Sequence, residues 1–468
     1  MKTTKLFFMA ALALTFGACS SDYNELAQQP AKAEGITITA QLAPKSSIAN
    51  TRAVEEGKDG NNKDIIKATW DVDEHLAILY TKGGNQMADA RITEVDGSGN
   101  ATIEFTVVDE TPDNTECVII YPYSAAKDDK TGLKDAKTLL KNQDGTLSDD
   151  LDVRVGAGKI QVSTPSLDVT TQPAAQFAIW KLTTNGNAKN LCILADNEVI
   201  VSATLATEGT VFTVAVPAVS SKTVTAVANN AANACYYNSK AGVSLAAGNY
   251  YQSTMAALDD DNSKPAYMIT GNVAGLIVAG QTLVLSGANI SGYNSVYFGD
   301  DGVATLILMG TNTIANTDPL SSSILVDGAG TLTITGTGSL TVQGIENTPG
   351  IVGANPNSNI IICGGTINAT GGEYAPGIGS RKNGDCGTIT ITDGVTSVTS
   401  TKGAGAPDCI GRGDGISTCA AVIFGSAQVF NGINWSSSLM EAGNYGGLNL
   451  AISTTMNTND TWTLTPAP

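Results

Sequence analysis

Apolar and polar residues alternate with period two over much of this chain. In GITITAQLA (35–43), Ile36, Ile38, Ala40 and Leu42 alternate with polar neighbours, the pattern of a half-buried strand. A polar stretch (43–64) follows. HLAILY (75–80), ATIEFTVV (101–108) and ECVIIYPY (116–123) read as further strands, with KGGN (82–85) and DGSGN (96–100) as turns between them. Residues 36–165 are therefore expected to form an antiparallel β-sandwich. Residues 166–258 repeat the pattern in AQFAIWKLTT (175–184), NLCILAD (190–196), EVIVSATLA (198–206), TVFTVAVPA (210–218), KTVTAVAN (222–229) and GNYYQSTMAAL (248–258). A second β-sandwich is expected there. Asp259, Asp260, Asp261 and Pro265 then mark a charged hinge.

From 266 to 430 the pattern changes in kind. Short apolar runs ending at Gly start at Leu283, Leu306, Leu332, Ile360, Ile389 and Val422, with spacings of 23, 26, 28, 29 and 33 residues. Between them recur PGIVGA (349–354), PGIGSR (376–381) and PDCIGR (407–412). Such periods without helical patterning indicate a solenoid of strands. The expected form is a parallel β-helix, its rungs about 4.8 Å apart with Gly at the corners. Residues 431–468 are left as a cap on the last rung or a strand placed elsewhere. The fold class is thus all-β: two β-sandwich domains of transthyretin-like type, then a parallel β-helix.

The N-terminus carries an address. Lys2 and Lys5 precede an apolar run from Leu6 to Phe16, too short to anchor in a bilayer, and Gly17 and Ala18 precede Cys19. Residues 1–18 read as a signal peptide and 19–35 as a tether. The ending resembles a bacterial lipobox, which implies a lipidated Cys19 that attaches the chain to the outer membrane. Ser20, Ser21 and Asp22 resemble the surface-export signal of Bacteroidetes lipoproteins.

Composition narrows the chemistry. The chain of 468 residues has 26 Lys+Arg against 44 Asp+Glu, a net charge of −18, and one His. An acid excess disfavours nucleic acid as a partner. A lone His75, without HExxH or a Cys/His cluster, gives no zinc hydrolase, and no Ser or Cys motif flanks it. A non-enzymatic protein with no cofactor and no metal site is expected. After Cys19 the cysteines are Cys117, Cys192, Cys235, Cys363, Cys386, Cys409 and Cys419, an odd number that leaves at least one free thiol.

Residues 1–258 resemble the fimbrillin family of Bacteroidetes surface appendages. The resemblance rests on the lipobox, the first strand, NTRA (50–53), ATWDVDEHLAILY (68–80), IIYPY (119–123) and NQDGTLSDDLDVRVG (142–156). In ATWDVDEHLAILY Trp70 is kept, but Asp73 and Glu74 stand where the family has Gly-Asp. The closing stretches FTVAVPA and LAAGNYYQSTMAAL also match. The resemblance implies export to the cell surface, cleavage between Arg52 and Ala53, loss of the first strand, and its replacement by a neighbouring subunit's strand in a fimbrium. The partners would be other fimbrial subunits. A large extra C-terminal domain suits a tip or accessory subunit in adhesion better than a stalk subunit.

The repeats are also similar to those of β-helical carbohydrate-binding surface proteins, which implies a glycan-binding face for host or microbial sugars. Arg381 and Arg412 occupy matching motif positions and are candidates for that face together with Tyr374; solvated corner turns are the plainer explanation. Asp385, Asp408 and Asp414 lie close enough in sequence to neutralise the two arginines. Cys386 and Cys419 are expected to stack on neighbouring rungs, as thiols or as a disulfide. Asp300, Asp301 and Gly302 suit a turn better than a calcium site. Arg412-Gly413-Asp414 is an RGD tripeptide inside a rung and weak as an integrin ligand. The alternative function is a non-polymerising surface lipoprotein that binds carbohydrate through the repeats.

Overall fold

A computed structural model describes residues 35–45, 56–58, 64–66, 68–140, 142–147, 151–196, 198–257, 267–274, 277–278, 282–292, 296–299, 302–317, 322–431, 440–454 and 460–467. The expected signal peptide, Cys19, Arg52, Ala53, the 259–265 hinge, and Asp300 and Asp301 lie outside these residues. The described chain is all-β, with one four-residue α-helix, Ala136–Leu139, and one 3-10 turn, Tyr123–Ala125.

The first unit differs from the expected pair of open sheets. Seven strands close into a barrel: Ile36–Leu42, Ala101–Val107, Asn85–Val95, His75–Thr81, Thr115–Tyr121, Arg154–Gln161 and Ser166–Ala175, in that order around it. The first strand runs antiparallel to Ala101–Val107 in unbroken register, from Ile36↔Val107 to Leu42↔Ala101. It closes the circle through the parallel pair Thr39↔Ser166. The division at 165/166 therefore cuts through this ladder, because Ser166–Ala175 pairs with Arg154–Gln161 and with the first strand. Period two sends Ile38, Ala40, Leu42, Leu76, Ile78 and Ile103 into the barrel core. The other face of His75–Thr81 is buried too: Ala77 and Leu79 pack on the second unit. That explains why HLAILY reads as a continuous apolar run.

In the second unit five strands form one sheet, in the order Glu198–Val216, Ala178–Ala195, Val219–Asn229, Cys235–Leu245, Tyr250–Ala257. The long Ala178–Ala195 strand carries register shifts. Its first half pairs in parallel with Tyr250–Ala257 and its second half antiparallel with Val219–Asn229, so the sheet bends back on itself. Gln143 ties the two units together. Its side-chain amide donates to the Ala215 carbonyl (2.8 Å) and its carbonyl accepts from Ala215 N–H (2.8 Å).

Beyond residue 267, strands stack in parallel along three ladders. One row runs Leu283–Leu306–Ile334–Ile362–Ile391–Phe424. A second runs Val296–Ile324–Ile351–Ile378–Ile410. A third runs Leu340–Ile367–Val398. Every residue in these rows is at most 1% exposed, and together they form one continuous core. Aligning the apolar runs by their first residues pairs Leu306 with Leu332, but the structure pairs Leu306 with Ile334. A slip of two residues keeps the same side chains facing inward, so the periodicity alone does not detect it. The last strand, Asp460–Pro466, runs antiparallel to Ser397–Thr401, and Trp462 packs edge-on against Phe424 (6.1 Å between ring centres). The tail therefore covers the end of the stack. Cys192, Leu194 and Val227 meet Met268, Val284 and Ile307 in a small apolar cluster that seats the stack on the second unit.

Rung spacing makes particular glycines indispensable. Gly379 has φ +147°, and a Cβ there would lie 1.9 Å from the Gly411 carbonyl oxygen of the next rung. Gly83, on a barrel turn, has φ +64° with nothing within 4 Å. Gly379→Ala should destabilise the protein by about 3 kcal/mol or more, and Gly83→Ala by about 1 kcal/mol. Thermal denaturation of the two variants checks this; equal shifts would contradict the stacked register.

Candidate functional site

The first strand is followed at once by a buried charge cluster. Trp70 donates its indole N–H to the Ala43 carbonyl (2.9 Å), and its ring lies perpendicular to that of Tyr121, with centres 5.3 Å apart. Between them sits the Lys45 ammonium, 4.3 Å from the Trp70 ring centre and 4.0 Å from that of Tyr121. Its Nζ is 3.2 Å from Asp152 Oδ2 and 3.4 Å from Glu74 Oε2. Arg154 Nε donates to Asp152 Oδ1 (2.7 Å), and the Tyr121 hydroxyl donates to Glu74 Oε1 (2.7 Å). The side chains of Lys45, Asp152 and Arg154 are 0% exposed. Burial pushes the Lys45 ammonium below its ordinary pKa, against the pull of Asp152 and Glu74. Burial likewise raises Asp152, against the pull of Arg154 and Lys45. Among the described residues, two cations and two carboxylates thus face one another where water is excluded.

Local sequence explains the geometry. Asp73 takes a left-handed conformation, with φ 73°, which Asp tolerates better than most residues. The tight turn brings Glu74 back so that it accepts from Asp71 N–H (3.1 Å) and from Tyr121. Trp70 and Tyr121 are core residues at 2% and 4% exposure. Lys45, Asp152 and Arg154 were not legible as a site, because isolated charges in polar-looking stretches carry no periodic signal.

The stack gathers the other candidates on neighbouring corner turns, but not in a row. Ile378 pairs with Ile410 and Gly379 with Gly411, which sets Arg412 opposite Ser380 and Arg381 opposite Gly413. The motif positions of the two arginines match only because one turn holds an extra residue before its Ile. Arg412 Nε donates to its own buried Asp408 (3.0 Å), as does its backbone N–H (3.0 Å). Arg381 is half-buried, which lowers its pKa, and it faces the charge of Asp327. The Tyr374 ring is covered by the Lys382 ammonium at 3.6 Å, and Lys382 also pairs with Asp414 (3.5 Å). The RGD tripeptide is held in this turn: Gly413 N–H donates to Ser380 Oγ (3.0 Å) and Asp414 N–H to the Tyr374 carbonyl (2.9 Å).

Cys386 and Cys419 are in-register neighbours, and the seven described cysteines are free thiols. Burial pushes the Cys117, Cys192 and Cys409 thiols up to about 12. His75 stands at a strand start with Nδ1 2.7 Å from Asp89 Oδ1, both half exposed.

No protein-family model matches the chain, and no curated protein matches it. Two solved structures are distantly similar. One is a candidate cell adhesion protein from Bacteroides fragilis NCTC 9343, at 14% identity over 48% of this chain and 94% of that one, with a TM-score of 0.26. The other is a candidate cell adhesion protein from Bacteroides ovatus ATCC 8483, at 13% identity over 46% and 92%, with a TM-score of 0.24. These scores are too low to carry an argument about fold or function.

Breaking a buried ion cluster costs far more than breaking an exposed pair. Lys45→Met should lower unfolding stability by about 3 kcal/mol or more. Arg91→Met, which removes an exposed pair with Asp73, should cost less than about 1 kcal/mol. Urea denaturation followed by tryptophan fluorescence measures both.

Proposed function

We propose that this chain is a cell-surface adhesion protein, exported as a lipoprotein on Cys19 and assembled into a fimbrium as a tip or accessory subunit by protease-triggered strand exchange. On this reading the first unit is a fimbrillin-like β domain, the C-terminal stack is a parallel β-helix, and the molecule binds and assembles rather than catalyses.

One observation carries the reading. The first strand fills a slot between Ala101–Val107 and Ser166–Ala175, and buries Ile38, Ala40 and Leu42 at 0%, 7% and 0% exposure. It is the first described strand, followed in sequence by the stretch that holds Arg52. Its loss would open an apolar groove with unpaired backbone groups on both sides, which another chain's strand satisfies by β-augmentation.

The second reading is a non-polymerising lipoprotein that binds carbohydrate through the stack. It is favoured by the corner where the Lys382 ammonium covers the Tyr374 ring, and where Ile416, whose N–H donates to Asn383 Oδ1 (3.3 Å), is 83% exposed. Protein recovered from the native cell surface decides between them. Under strand exchange its N-terminus is Ala53, and Arg52→Ala leaves lipidated full-length monomer without fibres. A mature protein that begins at lipidated Cys19 while fibres still form would overturn the strand-exchange reading. A glycan array probed with the full chain tests the second.

A further inference from the structure

We propose that Trp70, Tyr121, Glu74 and Asp152 form a cation-recognition cage at one end of the strand groove, occupied here by the chain's own Lys45, and that the cage selects replacement strands carrying a basic side chain three residues beyond their last core residue. The proposal rests on the strand-exchange reading above and adds the chemistry of the strand that is accepted.

The cage stands apart from the strand that fills it. Its walls come from elsewhere in the first unit: Trp70 and Glu74 from the turn before His75–Thr81, Tyr121 from the end of Thr115–Tyr121, Asp152 from just before Arg154–Gln161. Glu74 is held by Tyr121 and by Asp71 N–H, and Asp152 by Arg154, without help from Lys45. Departure of the first strand would therefore leave two aromatic faces and two carboxylates around an empty centre. Among the described residues, Lys45 is the cation that faces both carboxylates, so its loss would leave Glu74 without an ammonium beside it. A buried uncompensated carboxylate is strongly unfavourable. An incoming basic side chain restores the balance and regains the ring contacts.

The groove reads the remaining positions coarsely. Apolar residues are wanted at the places of Ile38, Ala40 and Leu42, and Ala40 is small. Trp70 bonds a backbone carbonyl at position 43, which any strand supplies. The cage is thus the polar, and most selective, part of the groove. The accepted pattern is apolar-x-small-x-apolar-x-x-basic. The tail strand Asp460–Pro466 and the two residues after it hold no Lys or Arg, and Trp462 and Leu464 are already spent on the end of the stack. This chain's tail is therefore not the strand that the groove selects.

The test uses the full chain nicked after Arg52 by an arginine-specific protease. Fluorescent peptides of residues 36–45, native or with Lys45→Met, are exchanged in at subdenaturing urea and followed by anisotropy. The native peptide should bind at least about tenfold more tightly than the Met peptide. Glu74→Gln in the nicked protein should narrow that gap. Equal binding of the two peptides overturns the cage while leaving strand exchange intact. Binding of neither overturns both. A gap unchanged by Glu74→Gln places the preference elsewhere and also overturns the cage.

Discussion

The architecture depends on a seam. A barrel has no free edges only when its last strand is in place, and here that strand is the first one, Ile36–Leu42. On one side it makes a full antiparallel ladder; on the other it is joined by a single parallel pair. It is tied down by side chains: three core residues inside, and Lys45 locked among Trp70, Tyr121, Glu74 and Asp152 at its end. This first described strand is thus held by one full ladder, by burial and by one ionic clasp.

The rest of the molecule is closed against such loss. The second unit is keyed to the barrel through Gln143, and through Ala77 and Leu79 on the barrel's outer face. The stack rests on the second unit through a small apolar cluster, and its core column runs unbroken from Leu283 to Phe424. Its far end is covered by Trp462 and Leu464. Each parallel row is locked by its neighbours, so no one of its strands leaves alone. The stack is thus held on both sides along its length, whereas the barrel is closed by one strand at a seam.

Much of this was legible in the sequence, for identifiable reasons. Alternation in ITITAQL and the Gly-terminated runs mark strands because a side-chain period of two survives any tertiary context. Barrel closure was not legible, because it turns on the Thr39↔Ser166 pair between residues far apart in sequence. The register of the rows departs from the run starts by two residues at Leu332, and from the motif positions of the arginines by one, because the length of each corner is not encoded in the apolar pattern. The clasp was hidden for a different reason. Asp73 and Glu74 read as an ordinary acidic pair, and only the fold shows the left-handed backbone of the one and the hydrogen bonds of the other. Lys45 reads as an ordinary lysine in a polar stretch until the fold brings Trp70 and Tyr121 to it.

The separability of the first strand is most directly measured by native-state hydrogen exchange on the full chain, before and after cleavage at Arg52. The amides of residues 36–42 should be protected to the level of the barrel in the intact protein. After the cut they should exchange by orders of magnitude faster, while those of residues 306–308, 334 and 360–362 keep their protection. Unchanged protection of residues 36–42 in the cut chain, or simultaneous loss of protection in the stack, would contradict the account.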